Sequence, residues 1–181
     1  EGEATRLLTV TNLGYEAKYE GVKVVLEGLR DVFPDRPDLE YLIAGGGEYE
    51  GTLRSYLDDY EFGDRVQVLG FRSDIADVLA GADIFVYVSF LDSFATTVIE
   101  AQAAGLPVII GDCGGVPEAA GNPGINCEPT ATRVSANISE VLNNADLREM
   151  TILRSRERAS RYNENVVDQF VSVWDSILSR E

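Results

Sequence analysis

Residues 86–110 read Val86-Tyr87-Val88-Ser89-Phe90-Leu91-Asp92-Ser93-Phe94-Ala95-Thr96-Thr97-Val98-Ile99-Glu100-Ala101-Gln102-Ala103-Ala104-Gly105-Leu106-Pro107-Val108-Ile109-Ile110. The apolar run Ile84 to Val88 suits a strand buried on both faces, and Val108-Ile109-Ile110 suits a second. Between them a helix is expected to begin near Phe94 to Thr96, where Ser and Thr can cap free amides, and to continue until Gly105 stops it. The first turn of such a helix faces the crevice beyond the carboxyl end of the preceding strand. Amides and the helix dipole there favour an anion such as a diphosphate. Asp92 in the loop and Glu100 on the helix cannot bind phosphate, but they can accept hydrogen bonds from the hydroxyls of a sugar or ribose.

Upstream of this stretch, Arg6 to Thr11 reads as the first strand and Asn12 to Gly21 as its outgoing loop. Val22 to Phe33 follows as a helix, with Val22, Val25, Leu26 and Leu29 at helical spacing, and ends before Pro34. Leu39 to Ala44 is a second strand entering Gly45-Gly46-Gly47, Glu48 to Tyr60 a polar helix, Val66 to Gly70 a third strand and Ser73 to Ala80 a short helix. Downstream, Gly114-Gly115-Val116-Pro117-Glu118 turns into a short helix with proline near its first position. Gly124 to Glu128 reads as an edge-like strand, and Ala131 to Leu142, Asp146 to Ser160 and Asn163 to Leu178 as helices. This alternation predicts an α/β fold, a parallel sheet with helices on both faces. A length of 181 residues suits one core, so residues 1–181 form a single domain.

The pattern Ser-x-x-acid-x-Phe, followed after five residues by Glu-Ala-x-Ala-x-Gly-x-Pro-Val, resembles the donor-site signature of retaining glycosyltransferases of family 4. The family has Glu-x7-Glu; this chain has Asp92-x7-Glu100. The resemblance runs from about Leu7 to about Leu147 and implies a Rossmann-like, doubly wound parallel sheet, one half of a GT-B fold. It further implies that these residues are the C-terminal, donor-binding domain, with the N-terminal acceptor domain absent from them.

By the same resemblance, Leu42-Ile43-Ala44-Gly45-Gly46-Gly47 corresponds to the segment beside the donor nucleotide, with Gly45 and Gly46 as contacts. Taken alone, a glycine run after a strand is more often a turn than a ligand loop. Val68-Leu69-Gly70-Phe71-Arg72 corresponds to the segment that meets the nucleobase; Phe71 either serves there or closes the core, and Arg72 either serves or is solvated. The family places an arginine and a lysine after the first strand to neutralise the diphosphate, and here Asn12-Leu13 stands where Arg-Leu is expected. Lys18 then becomes the phosphate cation and Arg72 the substitute candidate for the second.

Asp92 matches the acid near the donor sugar and Glu100 the acid that holds the ribose; Glu100, between Ile99 and Ala101, is expected to be a buried carboxylate in search of partners. Ser93-Phe94-Ala95 replaces Gly-Phe-Gly, leaving the amides of Ala95, Thr96 and Thr97 and the two threonine hydroxyls to meet the diphosphate. Glu118, in the Gly-Gly-x-x-Glu match, is either a donor contact or part of a loop with no ligand.

Composition narrows the function classes. Thirty-one acids against 15 bases leave a net charge of −16, which argues against nucleic acid or an anionic membrane as partner. Such a charge suits either an ordinary acidic protein or one adapted to high salt, where self-repulsion is screened. Cys113 and Cys127 lack CxxC spacing and the chain has no histidine, so neither a zinc site nor a Ser-His or Cys-His nucleophile is expected. There is no Asp-x-Asp to hold a metal-bound diphosphate, and the resemblance implies a metal-independent reaction with no cofactor beyond the nucleoside diphosphate sugar substrate, UDP-sugar or GDP-mannose among the candidates.

The expected function is donor binding for transfer of a hexosyl group to an acceptor hydroxyl, with little catalysis by this domain alone. A non-catalytic nucleotide-sugar-binding subunit and a GT-B sugar epimerase fragment are the alternatives. No apolar run approaches the roughly 18 residues of a membrane span, so a cytoplasmic location is expected, with membrane association only through parts outside these residues.

Overall fold

A computed structural model describes residues 4–121 and 124–160, with alternating strands and helices as expected. The strands are β1 (Thr5–Val10), β2 (Leu39–Ala44), β3 (Val66–Gly70), β4 (Ile84–Tyr87), β5 (Val108–Gly111) and β6 (Ile125–Cys127). The α-helices are α1 (Glu16–Val32), α2 (Glu50–Asp58), α3 (Ile75–Ala80), α4 (Thr96–Ala103), α5 (Val116–Ala120) and α6 (Ala131–Asn143), followed by a helix over residues 145–160. The helix expected over Asn163 to Leu178 lies outside the described residues. Among the described residues no helix is long and apolar enough to cross a membrane.

All strand pairs are parallel, in the order β3-β2-β1-β4-β5-β6. This is the Rossmann order, with the winding reversed between β1 and β4. The central strands β4 and β5 are buried along their whole length, as a strand covered on both faces must be. Neighbouring residues of a strand point to opposite faces, and the core divides accordingly. Leu7, Ile84 and Val86 join Leu26 and Leu29 of α1 and Ile138 of α6 in one cluster. Leu8, Phe85 and Tyr87 join Leu79 of α3, Val98 and Ala101 of α4 and Val116 of α5 in the other. Helices therefore cover both faces, with α1 and α4 on opposite sides.

At the reversal, the ladder between β1 and β4 pairs Leu7 with Ile84 and Leu8 with Phe85 and goes no further. Beyond it, the buried hydroxyl of Thr9 donates to the Val86 carbonyl at 2.6 Å. Because that single proton is committed, Tyr41, whose hydroxyl is 2.7 Å from Thr9 Oγ1, must be the donor to it. A side-chain relay thus links β2, β1 and β4 where the backbone ladder ends, and the carboxyl ends of β1 and β4 lead apart.

One boundary differs from the sequence expectation by more than two residues. Helix α1 begins at Glu16, not Val22, so most of the expected loop is helical and Lys18 stands in the first turn of a helix. Its cap position, Tyr15, makes no side-chain capping bond, so the start carries no sequence signature. The added turn is held instead by packing: Tyr19 is buried and stacks on Tyr49 with ring centroids 5.5 Å apart.

Gly21 lies in this helix against β4, where an added Cβ would sit 1.9 Å from the Val88 carbonyl oxygen. Alanine would raise helix propensity by about 1 kcal/mol, but the backbone overlap opposes this with an overpacking cost of roughly 1–3 kcal/mol or more. Gly21→Ala is therefore expected to destabilise the domain, seen as a lower urea midpoint; an unchanged or higher midpoint would show that α1 does not approach β4 this closely.

Candidate functional site

The loops leaving β1 and β4 run to opposite faces, and between them opens a cavity of about 460 Å³. That lies within the usual range for small-molecule sites, roughly 300–1,000 Å³. Val10, Thr11, Asn12 and Lys18 line it from the β1 side, and Gly45, Gly46, Phe71, Arg72 and Ile75 from β2 and β3. Tyr87, Asp92, Phe94, Ala95, Thr96 and Thr97 line it from β4 and α4.

The expected contacts Lys18, Asp92, Gly45, Gly46, Phe71, Arg72, Phe94, Ala95, Thr96 and Thr97 are thus brought together from four separate parts of the chain.

Lys18 and Asp92 meet across this cavity. The Lys18 ammonium lies 2.9 Å from Asp92 Oδ2 and donates to the Tyr87 hydroxyl at 3.1 Å. Tyr87 in turn donates to Asp92 Oδ2. The other carboxylate oxygen, Oδ1, accepts the Phe94 amide at 3.0 Å, which fixes the turn leading into α4. The Lys18 and Asp92 side chains are only 18% and 9% exposed, so this pair is screened far less than a surface one.

Burial alone would raise the Asp92 pKa, but the hydrogen bonds from Tyr87 and Lys18 and the lysine charge outweigh it, and the carboxyl is held below its ordinary value. Burial would likewise lower Lys18, yet its bonds to Tyr87 and Asp92 prevail and raise it. Tyr87 is pushed up first by burial and then by its bond to the Asp92 carboxylate. At neutral pH the three are therefore ammonium, neutral phenol and carboxylate.

A lysine in the first turn of a helix opposes the helix dipole, and here the deep carboxylate offsets that cost. Tyr87 was missed by sequence reasoning, although a lone phenol at the carboxyl end of an otherwise apolar strand is a signal that could have found it.

Backbone groups complete the site. Helix α4 has no side-chain cap at Ala95, so the amides of Thr96 and Thr97 in its first turn have no intrahelical acceptor. Gly45 adopts φ +137°, and a Cβ there would meet the Thr11 carbonyl oxygen at 1.7 Å, so glycine is what lets the β2 loop lie against the β1 loop.

Several expected contacts fall elsewhere. Glu100 is exposed, not buried, because α4 buries the face carrying Val98, Ala101 and Gln102 and leaves Glu100 on the other; it is not among the lining residues. Glu118 is also exposed and outside the lining, and its backbone carbonyl accepts from Arg158 at 2.6 Å.

The Gly114-Gly115 pair before Glu118 serves as a brace. Gly115 donates to the Asp92 carbonyl at 3.2 Å, and Cβ atoms at Gly114 and Gly115 would overlap the carbonyls of Asp92 and Ser93. Ser93 is exposed and contributes this backbone contact, not a cavity wall. Phe71 is 82% exposed at the rim, which removes the core alternative for it. Arg72 reaches the cavity, but its guanidinium is engaged by both oxygens of Asp74. Lys23, the second lysine, is tied to Glu20 at 3.1 Å and lies over the Tyr19 ring.

The ion pair has a pH signature. Asp92 is depressed below 3.8, so its contribution to stability is complete above that value and is lost as pH falls through the depressed one. The stability gap between wild type and Lys18→Met is therefore expected to hold above about pH 5 and to shrink between about pH 5 and pH 2, other carboxylates cancelling in the difference. Thermal melts across that range check it; a gap independent of pH would mean the pair contributes no ionic stabilisation.

Comparison with known proteins extends these observations. Residues 2–158 match the family model described as glycosyl transferases group 1. An N,N'-diacetylbacillosaminyl-diphospho-undecaprenol alpha-1,3-N-acetylgalactosaminyltransferase of Campylobacter jejuni is 31% identical over 158 residues, covering 85% of this chain and 37% of that protein. The chain spans well under half the length of this and other curated relatives it matches.

Among solved structures, Anabaena Alr3699/HepE in complex with UDP and glucose superposes with a TM-score of 0.81 at 18% identity, over 94% of this chain and 49% of that one. The C-terminal domain of the glycosyl transferase group 1 family protein LpcC of Francisella tularensis gives 0.72 at 16% identity, over 88% and 86%. At such identities the structural likeness speaks for the fold. The sequence match is what assigns the lineage: this chain belongs to the glycosyl transferases group 1 family.

Proposed function

We propose that these residues are the donor-binding, C-terminal half of a retaining GT-B glycosyltransferase, and that the cavity between β1 and β4 takes a nucleoside diphosphate sugar. The observation that carries this reading is the convergence of Lys18, Asp92 and the first turn of α4 on one cavity. An ammonium and free helix amides suit a diphosphate, and a carboxylate suits sugar hydroxyls. The Anabaena structure carries UDP and glucose, and the LpcC structure is a C-terminal domain that this chain nearly spans; both support the reading.

In transfer, negative charge accumulates on the departing diphosphate, and cationic and amide donors fixed beforehand lower the barrier to its departure. Lys18 is the cation in that role and Thr96 and Thr97 supply the amides. Asp92 accepts from the sugar and Tyr87 orients both charged groups. The nucleobase lies towards Gly46 and Phe71, and the ribose role that the sequence pattern gives to Glu100 would have to be met from the exposed side of α4. By itself the domain binds donor and transfers little, because an acceptor held in place supplies much of the rate. The whole protein would move a hexosyl group to an acceptor hydroxyl with retention at the anomeric carbon.

Calorimetric titration with UDP, GDP and their sugar conjugates, in low and in multimolar salt, tests this. One nucleotide series is expected to bind. Lys18→Ala should weaken it roughly 10- to 100-fold, the loss of a charge-assisted hydrogen bond worth about 1.5–3 kcal/mol. Glu100→Ala measures the ribose contact separately. A folded domain that binds none of these ligands in either salt would refute the donor-site reading.

A further inference from the structure

The cavity's cation is already spoken for. Asp92 Oδ2, 2.9 Å away, and the Tyr87 hydroxyl, 3.1 Å away, occupy two of the three donors of the Lys18 ammonium. Arg72, the other cationic residue among the described lining residues, is clamped by Asp74. A phosphate group reaching Lys18 would arrive beside the Asp92 carboxylate in a half-buried site, where two like charges repel strongly.

We propose that Asp92 is an internal stand-in for phosphate: a phosphate oxygen displaces its carboxylate from Lys18, and Tyr87 keeps the ammonium in position through the exchange. The displaced carboxylate is then free to accept from the hydroxyl-bearing part of the ligand. The exchange makes the site selective for ligands that carry both groups. A neutral sugar offers Lys18 no replacement for Asp92, and a bare diphosphate has no hydroxyl to receive the released carboxylate. Tyr87 suits the holding role because its hydroxyl accepts from Lys18 while donating to Asp92, so it keeps the first bond when the second is broken. It is a positioning residue. Its ring is buried in the cluster with Phe85, which fixes the position of its hydroxyl.

This inference rests on the donor-site reading and makes an opposite prediction from an ordinary contact role for Asp92. Asp92→Asn, which keeps the shape and removes the competing charge, is expected to tighten binding of UDP or GDP, whichever the wild type prefers, by on the order of tenfold. The gain should vanish in a Lys18→Met background, since the competition is for that ammonium. Tyr87→Phe should weaken binding several-fold in the wild type and have no effect beside Lys18→Met, a dependence that a purely structural tyrosine would not show.

If Asp92→Asn fails to fold, the wild-type complex still decides. The Lys18 Nζ to Asp92 Oδ2 separation should lengthen from 2.9 Å to beyond about 4 Å. Unchanged or weaker binding in a folded Asp92→Asn protein, or an intact ion pair in the complex, overturns the exchange while leaving the donor site standing. A wild type that binds neither nucleotide overturns both.

Discussion

The reversal of winding between β1 and β4 is the constraint on which the site depends. A parallel sheet needs a crossover helix between paired strands, and here the crossovers after β1 and β4 go to opposite faces. The two loops must separate at the carboxyl ends of their strands, and no backbone ladder closes the gap beyond Leu8 and Phe85. Thr9, bonded to the Val86 carbonyl and to Tyr41, keeps the strands together at the floor without filling the crevice above. The cavity is thus a consequence of topology, and the residues that line it are those that leave the carboxyl ends of β1, β2, β3 and β4.

What those residues contribute is charge held in a place that normally rejects it. Lys18 sits at the positive end of a helix and is largely covered, and Asp92 is more deeply covered still. Each alone would be costly; together with the Tyr87 phenol they satisfy one another. In a chain of net charge −16 with only two lysines, placing one of them here is a considerable departure from the average surface. Local preferences broken at one point, with compensation from across the sheet, are what a binding site looks like in energetic terms.

Much of this was legible beforehand. Short apolar, β-branched runs bounded by glycine, proline and polar residues place all six strands within a residue or two, because each run is too short for a helix and is closed at both ends by turn-forming residues. The glycines of residues 45–47 and 114–115 were visible too, but whether each faces a ligand or another loop was not. Gly45 admits the Thr11 carbonyl and lines the cavity, whereas Gly114 and Gly115 brace the Asp92 loop from behind. The start of α1 was misplaced because its cap position, Tyr15, carries no capping side chain, and what anchors Glu16 to Glu20 is long-range: Tyr19 stacks on a residue 30 positions away, Lys18 pairs with Asp92, and the Ala17 carbonyl accepts from the Phe90 amide.

By itself, then, the sequence determined the strand and helix order, the parallel sheet, and the stretch from Asp92 to Thr97 as the place where a loop meets a helix start. Those properties follow from periodicity and local backbone chemistry, which act over a few residues. Only the tertiary structure decided which charges meet. Glu100 turned to solvent and Glu118 fell behind the site because the rotation of a helix is set by what packs against it. Lys18, Tyr87 and Asp92 came together because three segments end at one switch point, and a hydrogen bond between residues 74 positions apart depends on the path of the chain between them.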